Sequence, residues 1–242
     1  MLKALIFDVF GTVVDWRSGV AAEAKRFFDV KGIGLDPFEF ADAWRGEYQP
    51  TMERVRSGNR GYVPLDELHR ENLDIVLDRF DLAGYFDAAD RVELNHAWEK
   101  LPPWPDSVPG LTALKEDFIV APCSNGSIAL MTRMAKFGGL PWDAILGADI
   151  AGNYKPREEV YLASCNALRL EPSQVMMVAA HPGDLDAAKA CGLMTAFIPR
   201  PLEFGPSHEN DPQADHHAGM RRRDDWNYTA ESVKILAEIL MA

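Results

Sequence analysis

From residue 118 onward the chain alternates short apolar runs with helix-length amphipathic stretches, and this alternation constrains its fold more than any other feature. The runs at 118–123, 144–147, 175–180 and 195–198 have strand length, while 128–137, 158–168 and 185–191 carry apolar residues at helical spacing. Strand and helix in turn predict a parallel sheet covered on both faces, because a parallel crossover needs a long connection. The N-terminal run 2–7 reads as a further buried strand, closed by Asp8 to Thr12 with Gly11 as the turn residue. Between this strand and the alternating part, 20–30, 37–55 and 65–79 have helical periodicity with turn breakers between them. The expected fold is therefore α/β, a Rossmann-like doubly wound parallel sheet core built from 1–15 and 99–242, with a small helical cap domain over 16–98. A helix at 231–241 ends the chain after a polar stretch, 203–225, that reads as a surface loop.

Sheets of this kind gather ligands at the carboxyl ends of their strands. Four segments fall there or in the adjoining loops: Asp8-Val-Phe-Gly-Thr12, Cys123-Ser-Asn-Gly126, Tyr154-Lys-Pro156 and His181-Pro-Gly-Asp184. Although spread over most of the chain, they can meet in one crevice. A carboxylate that attacks carbon or phosphorus needs a nearby cation, donors for the substrate's own charge, and a base or oriented water to release the resulting ester. Each part has a candidate in these segments.

Composition narrows the partners. The chain of 242 residues has 25 basic and 37 acidic residues and a net charge of −12, which disfavours nucleic acid and asks any anionic substrate to find a local basic pocket. The three cysteines are few, odd in number and widely spaced, giving neither a disulfide framework nor a zinc site and fitting a reduced cytoplasm. No stretch approaches the ~20 apolar residues that span a bilayer, and the first apolar run is too short for a signal peptide, so a soluble, cytoplasmic protein is expected.

The segment Phe7-Asp-Val-Phe-Gly-Thr-Val-Val-Asp15 resembles the nucleophile motif of the haloacid dehalogenase superfamily. Ser124-Asn125 resembles its second motif, Lys155-Pro156 its third, and the strand ending before Asp184 its fourth, in the same order over nearly the whole chain. The position two after the nucleophile separates reaction classes. Superfamily phosphatases usually carry a second Asp there, a general acid whose backbone carbonyl helps to hold Mg²⁺. Here it is Phe10, which cannot donate a proton, and a departing halide needs none. The pattern is similar to the type II L-2-haloacid dehalogenases, which use no metal or other cofactor.

That resemblance implies hydrolysis of a small anionic 2-haloacid by a nucleophilic Asp8, with Thr12 bonding near it and Lys155 keeping it ionised. Ser124 and neighbouring backbone N–H groups would bind the substrate carboxylate. Arg45 of the cap would receive the halide with Asn125 as a second donor, Tyr161 matches a tyrosine of the subfamily, and Asp184 matches the carboxylate that orients the hydrolytic water. Many such proteins are homodimers through the cap, but no motif in this chain establishes an interface. The alternatives are a Mg²⁺-dependent phosphohydrolase on the same scaffold and a catalytically silent protein that binds an organic anion.

Two positions depart from the subfamily pattern. Ala179 and His181 stand where many members have Ser and Asn, and a histidine there reads either as a base for water or as an orienting hydrogen-bond partner. Gly183 stands where some members place an aromatic residue against the halide, leaving Trp44 or Tyr62 to compensate. The pair His216-His217 lacks the spacing of two ligands on one face, so no metal is expected there, and Arg221 to Arg223 followed by two aspartates reads as a solvated face.

Overall fold

The structure, a computed structural model, describes residues 1–206 and 225–242. The two histidines at 216 and 217, the arginine run and most of the predicted polar loop lie outside the described residues.

Six parallel strands form one sheet in the order β3-β2-β1-β4-β5-β6, with β1 Ala4–Phe7, β2 Ile119–Ser124, β3 Leu146–Gly147, β4 Val175–Ala179, β5 Met194–Phe197 and β6 Tyr228–Thr229. All four residues of β1 are buried, as befits a central parallel strand covered on both faces. The period of two along a strand sends Leu5 and Phe7 into one apolar cluster and Ala4 and Ile6 into the other. From β1 the chain builds β2 and β3 to one side, then crosses back to place β4 on the other. The strand order thus reverses between β1 and β4, the kind of switch point that opens a crevice at the strands' carboxyl ends. Phe7 lies opposite Val178, and the Asp8 N–H donates to the Val178 carbonyl at 3.0 Å. The first residue after β1 is thereby fixed at the rim of that crevice.

Of the six α-helices between β1 and β2, five lie before the Pro-rich stretch: α1 Trp16–Lys31, α2 Pro37–Gly46, α3 Tyr48–Arg56, α4 Leu65–Arg79 and α5 Ala88–Asn95. Side-chain caps define the starts of α1, α2 and α5. Asp15 accepts from the Ser18 N–H, Asp36 from that of Phe38 ahead of Pro37 at the first helical position, and Asp87 shares a capping box with Asp90. The single helix expected over 37–55 is instead two, hinged at Glu47. Pro50 has no N–H for the Gly46 carbonyl and its ring would strike it, so a continuous helix cannot pass this point. The apolar faces of these helices do not close on a separate core. Phe40, Trp44, Leu73 and Trp98 belong to the same cluster as Leu5, Phe7 and Phe10 beneath them.

Beyond β2 come α7 Ile128–Gly138, α8 Ala148–Ala151, α9 Glu158–Ala167, α10 Pro182–Ala190 and the C-terminal α11 Val233–Leu240, while α6 Ser107–Leu114 precedes it. No helix among the described residues is long and apolar enough to cross a membrane. The Pro-rich approach to α6 conceals a helix whose Ser107 hydroxyl ties it to the Val13 carbonyl at 2.7 Å. Helix α10 begins three residues earlier than its apolar spacing indicates, with His181 at the N-cap position and Pro182 next. Asp184 therefore stands inside the first turn.

Candidate active site

The carboxylate of Asp8 is held from three sides. Lys155 Nζ lies 2.8 Å from Oδ1, while Oδ2 receives the Thr12 hydroxyl at 2.7 Å and faces His181 Nδ1 at 2.9 Å. Thr12 has a defined direction, since its oxygen accepts the Ala180 N–H at 2.9 Å and its proton is left for Asp8. Gly11 turns the loop back under the carboxylate with φ 86°, a region open to glycine at little cost.

Lys155 bridges two acids. Its Nζ also contacts Asp184 Oδ2 at 2.5 Å, and the Tyr161 hydroxyl on α9 donates to the other oxygen of Asp184. The lysine backbone is anchored too, its N–H donating to Asn125 Oδ1 at 2.8 Å, while Asn125 Nδ2 donates to the Tyr48 hydroxyl at 3.0 Å. Ser124, buried at the end of β2, accepts the Gly126 N–H at 3.0 Å. Neither residue caps α7, a task that falls to Ser127.

These contacts separate the two carboxyls chemically. Burial works against an ionised Asp8, but the charges and hydrogen bonds of Lys155 and His181 hold it well below the usual carboxylate range. For Asp184 burial and the negative charge of Asp8 outweigh Lys155, and its carboxyl is raised. Burial disfavours the Lys155 ammonium, yet Asp184 and Asp8 together raise it above its ordinary value. Two neighbouring acids pushed apart in this way suit a nucleophile and a base. Burial pushes the nearby Cys123 thiol up to about 12, which removes it as a competing nucleophile.

His181 faces a carboxylate at each nitrogen. Nε2 lies 2.9 Å from Oε2 of Glu203, whose Oε1 accepts the Trp16 indole N–H at 3.0 Å. Burial disfavours the imidazolium, but Glu203 and Asp8 outweigh it and raise the histidine well above its ordinary value. A ring that donates from both nitrogens to these two carboxylates has no lone pair with which to take a proton from water. Of the two readings open for this histidine, the geometry favours the hydrogen-bond partner.

The cap side is aromatic. The Arg45 guanidinium on α2 lies 3.9 Å from the Tyr48 ring centroid, 5.2 Å from that of Trp16 and 5.8 Å from that of Phe10. Its Nη1 is buried and has no hydrogen-bond partner among the described residues. Phe10 is itself buried, edge-on to Tyr48, His69 and Trp98. Trp44 packs in the apolar cluster with its indole N–H on the His69 carbonyl, and Tyr62 donates to Asp149, so each has a structural partner away from Asp8. A Cβ on Gly183 would meet open space.

Asp8, Thr12, Lys155, His181, Asp184 and Tyr161 thus form one connected network, with Asn125 joined to it through Lys155. Sequence reasoning missed Glu203, Tyr48 and His69. Tyr48 stands three residues after Arg45, a spacing that could have flagged it. His69, buried against Trp98 at 4.1 Å between ring centroids, gives no such signal. Glu203 opens a polar stretch and reads as solvated, yet it is 1% exposed.

The sequence model of the haloacid dehalogenase-like hydrolases matches residues 2–192. The chain is 31% identical over 213 residues to (S)-2-haloacid dehalogenase 1 of Pseudomonas sp. (strain CBS-3), covering 85% of this chain and 90% of that one. Among solved structures it resembles the defluorinating L-2-haloacid dehalogenase Rha0230, at 46% identity and a TM-score of 0.94 over 100% of this chain and 96% of the other. The L-2-haloacid dehalogenase PA0810 is similar at 42% identity and a TM-score of 0.92, covering 100% and 99% of the two chains.

Proposed function

Because the chain belongs to the haloacid dehalogenase-like hydrolase family, we propose that it hydrolyses short (S)-2-haloalkanoic acids to 2-hydroxyalkanoic acids through an ester formed on Asp8. The observation that carries this reading is the pairing of Asp8 with Lys155 at 2.8 Å beside a position 10 that offers an aromatic ring in place of an acid. An ionised, oriented carboxylate can displace a leaving group that needs no proton.

In the first step an oxygen of Asp8 attacks C2 and halide departs with the bonding pair. Arg45 receives it, since a buried guanidinium with an unpartnered N–H is a donor awaiting an anion. Asn125 assists as the second donor, Phe10 supplies an apolar wall, and Ser124 with the N–H groups beside it holds the substrate carboxylate. In the second step water attacks the ester carbonyl of Asp8. Asp184, the more basic of the two acids, takes the proton, and Tyr161 keeps its carboxylate in place. The helical segment 16–98 acts as the cap that brings Arg45 over the nucleophile.

The residues present do not fit a divalent cation. The Lys155 ammonium fills the gap between Asp8 and Asp184, and position 10 offers a buried phenyl ring. No group of three or more His, Cys, Asp or Glu among the described residues could hold a metal. With Phe10 in place of the acid, a phosphohydrolase would also lack its leaving-group acid. All three cysteines are unpaired, in keeping with a cytoplasmic enzyme.

The test is halide release from a panel of chloroacetate, 2-chloropropionate and fluoroacetate, with and without a chelator. Release that survives chelation is expected for at least one acid. Release from none, with phosphate ester turnover only in Mg²⁺, contradicts the reading.

A further inference from the structure

Glu203 lies outside every motif of the nucleophile network, in the turn after β5, and its surroundings are built around it. The residue is 1% exposed, and its carboxylate takes hydrogen bonds from Trp16 and from His181. A Cβ on Gly11 would come within 2.1 Å of Glu203 Oε1, so only glycine at position 11 admits the acid beside the nucleophile loop. The turn is tied to the same loop a second time, since the Glu203 N–H donates to the Arg200 carbonyl at 3.0 Å and Arg200 Nε donates to the Thr12 carbonyl at 2.8 Å.

A buried carboxylate needs a countercharge, and the indole of Trp16 carries none. The group that can supply it is His181, which has Glu203 on one nitrogen and Asp8 on the other. A neutral ring would turn a lone pair toward one of these acids, whereas the doubly protonated ring donates to both. The charged neighbours converge on one answer: Asp8 and Glu203 face the ring directly, and Lys155 and Asp184 stand beyond Asp8 as a pair.

We propose that Glu203 is a positioning residue, holding His181 as a doubly protonated donor on Asp8 Oδ2 so that the carbonyl oxygen of the ester meets two donors during hydrolysis. The proposal rests on the Asp8 ester reading above. Of the two oxygens of Asp8, Oδ1 has one donor, Lys155, and Oδ2 has two, Thr12 and His181. Attack by Oδ1 leaves Oδ2 as the ester carbonyl. When water adds to Cγ, the C=O pair moves to Oδ2, where Thr12 and His181 stabilise the charge, and one water proton passes to Asp184. As the pair returns, the Cγ–Oδ1 bond breaks, the product alkoxide leaves with Oδ1 and takes that proton, and Asp8 releases the other on ionising. His181 keeps its proton throughout. Removing one preorganised donor of this type slows the step it serves by about 10²–10³-fold.

The experiment has two arms. In the first, Glu203→Gln is compared with wild type by rapid quench with 2-chloropropionate, following both halide and the esterified Asp8 peptide. The expected result is ester hydrolysis slowed by about 10-fold or more and by more than the first halide release, so that esterified Asp8 accumulates, with an alkaline limb of kcat moved to lower pH. Glu203→Asp should restore part of both, and in a His181→Asn background Glu203→Gln should add nothing. Equal losses in both backgrounds, or an unmoved limb with no accumulated ester, overturn the proposal. In the second arm, ¹⁵N signals of the His181 ring are followed in wild-type enzyme. A cation that persists above the ordinary value of about 6.5 is expected, and a ring that titrates there overturns the proposal even if the variants fail to fold. If wild type releases halide from no short haloacid, the function reading fails by itself, while the ring signals still decide the state of His181.

Discussion

Phe10 meets the indole of Trp98 edge to face, with 5.9 Å between ring centroids and an 82° angle between planes. The residue that sets this chain apart from proton-donating relatives is thus also a packing element between the nucleophile loop and the helical insertion. Phe10→Ala should cost about 3–5 kcal/mol of stability, the usual loss for a buried phenyl. Phe10→Asp should cost at least as much and gain no phosphatase activity, since the ammonium between Asp8 and Asp184 remains. Urea unfolding with an aryl phosphate assay checks both, and a stable, Mg²⁺-dependent Phe10→Asp phosphatase contradicts the account.

Lys155 is the only ammonium in contact with either acid of the network among the described residues. Lys155→Met leaves Asp8 buried beside Asp184 without that charge, so the Asp8 carboxyl should rise and its nucleophilic form become scarce near neutral pH. Halide release should fall by about 10²–10³-fold, with the residual rate increasing toward alkaline pH. A residual rate that does not vary with pH would place the effect elsewhere.

In the proposed reaction Asp184 acts after the halide has gone. Asp184→Asn should release halide equivalent to one turnover and then stall with Asp8 esterified, visible as a mass shift in the Asp8 peptide. Steady turnover by this variant would assign the base to another group.

His181 and Asp8 act on stability at opposite ends of the pH scale. His181 is raised on folding, so its contribution is complete below its unfolded value of about 6.5 and is lost as pH climbs through the folded value. Asp8 is lowered, so its contribution is complete above about 3.9 and is lost as pH falls toward the folded value. His181→Asn should therefore flatten the decline of urea stability that sets in as pH rises above about 6.5. Parallel declines in variant and wild type would mean the ring is neutral in the native enzyme.

Much of this was legible in the chain itself, for identifiable reasons. Strands buried on both faces leave continuous apolar runs, and residues at their carboxyl ends must share a crevice, which is how Asp8, Ser124 and His181 could be grouped before any coordinates. Their environment was not legible. Glu203 looks like any loop acid because its burial comes from distant Gly11, Trp16 and His181. The helix break at Glu47 was concealed by periodicity that continues across it, although Pro50 carried the physical signal. The two-residue strand β6 is too short to leave any pattern.

The central claim is that an oxygen of Asp8 becomes the oxygen of the product, and a single turnover with excess enzyme in ¹⁸O-water tests it directly. The account predicts label in the Asp8 peptide and an unlabelled hydroxyl in the first product released. Label in that hydroxyl, with an unlabelled Asp8 peptide, would mean that water attacks the substrate itself and would contradict it.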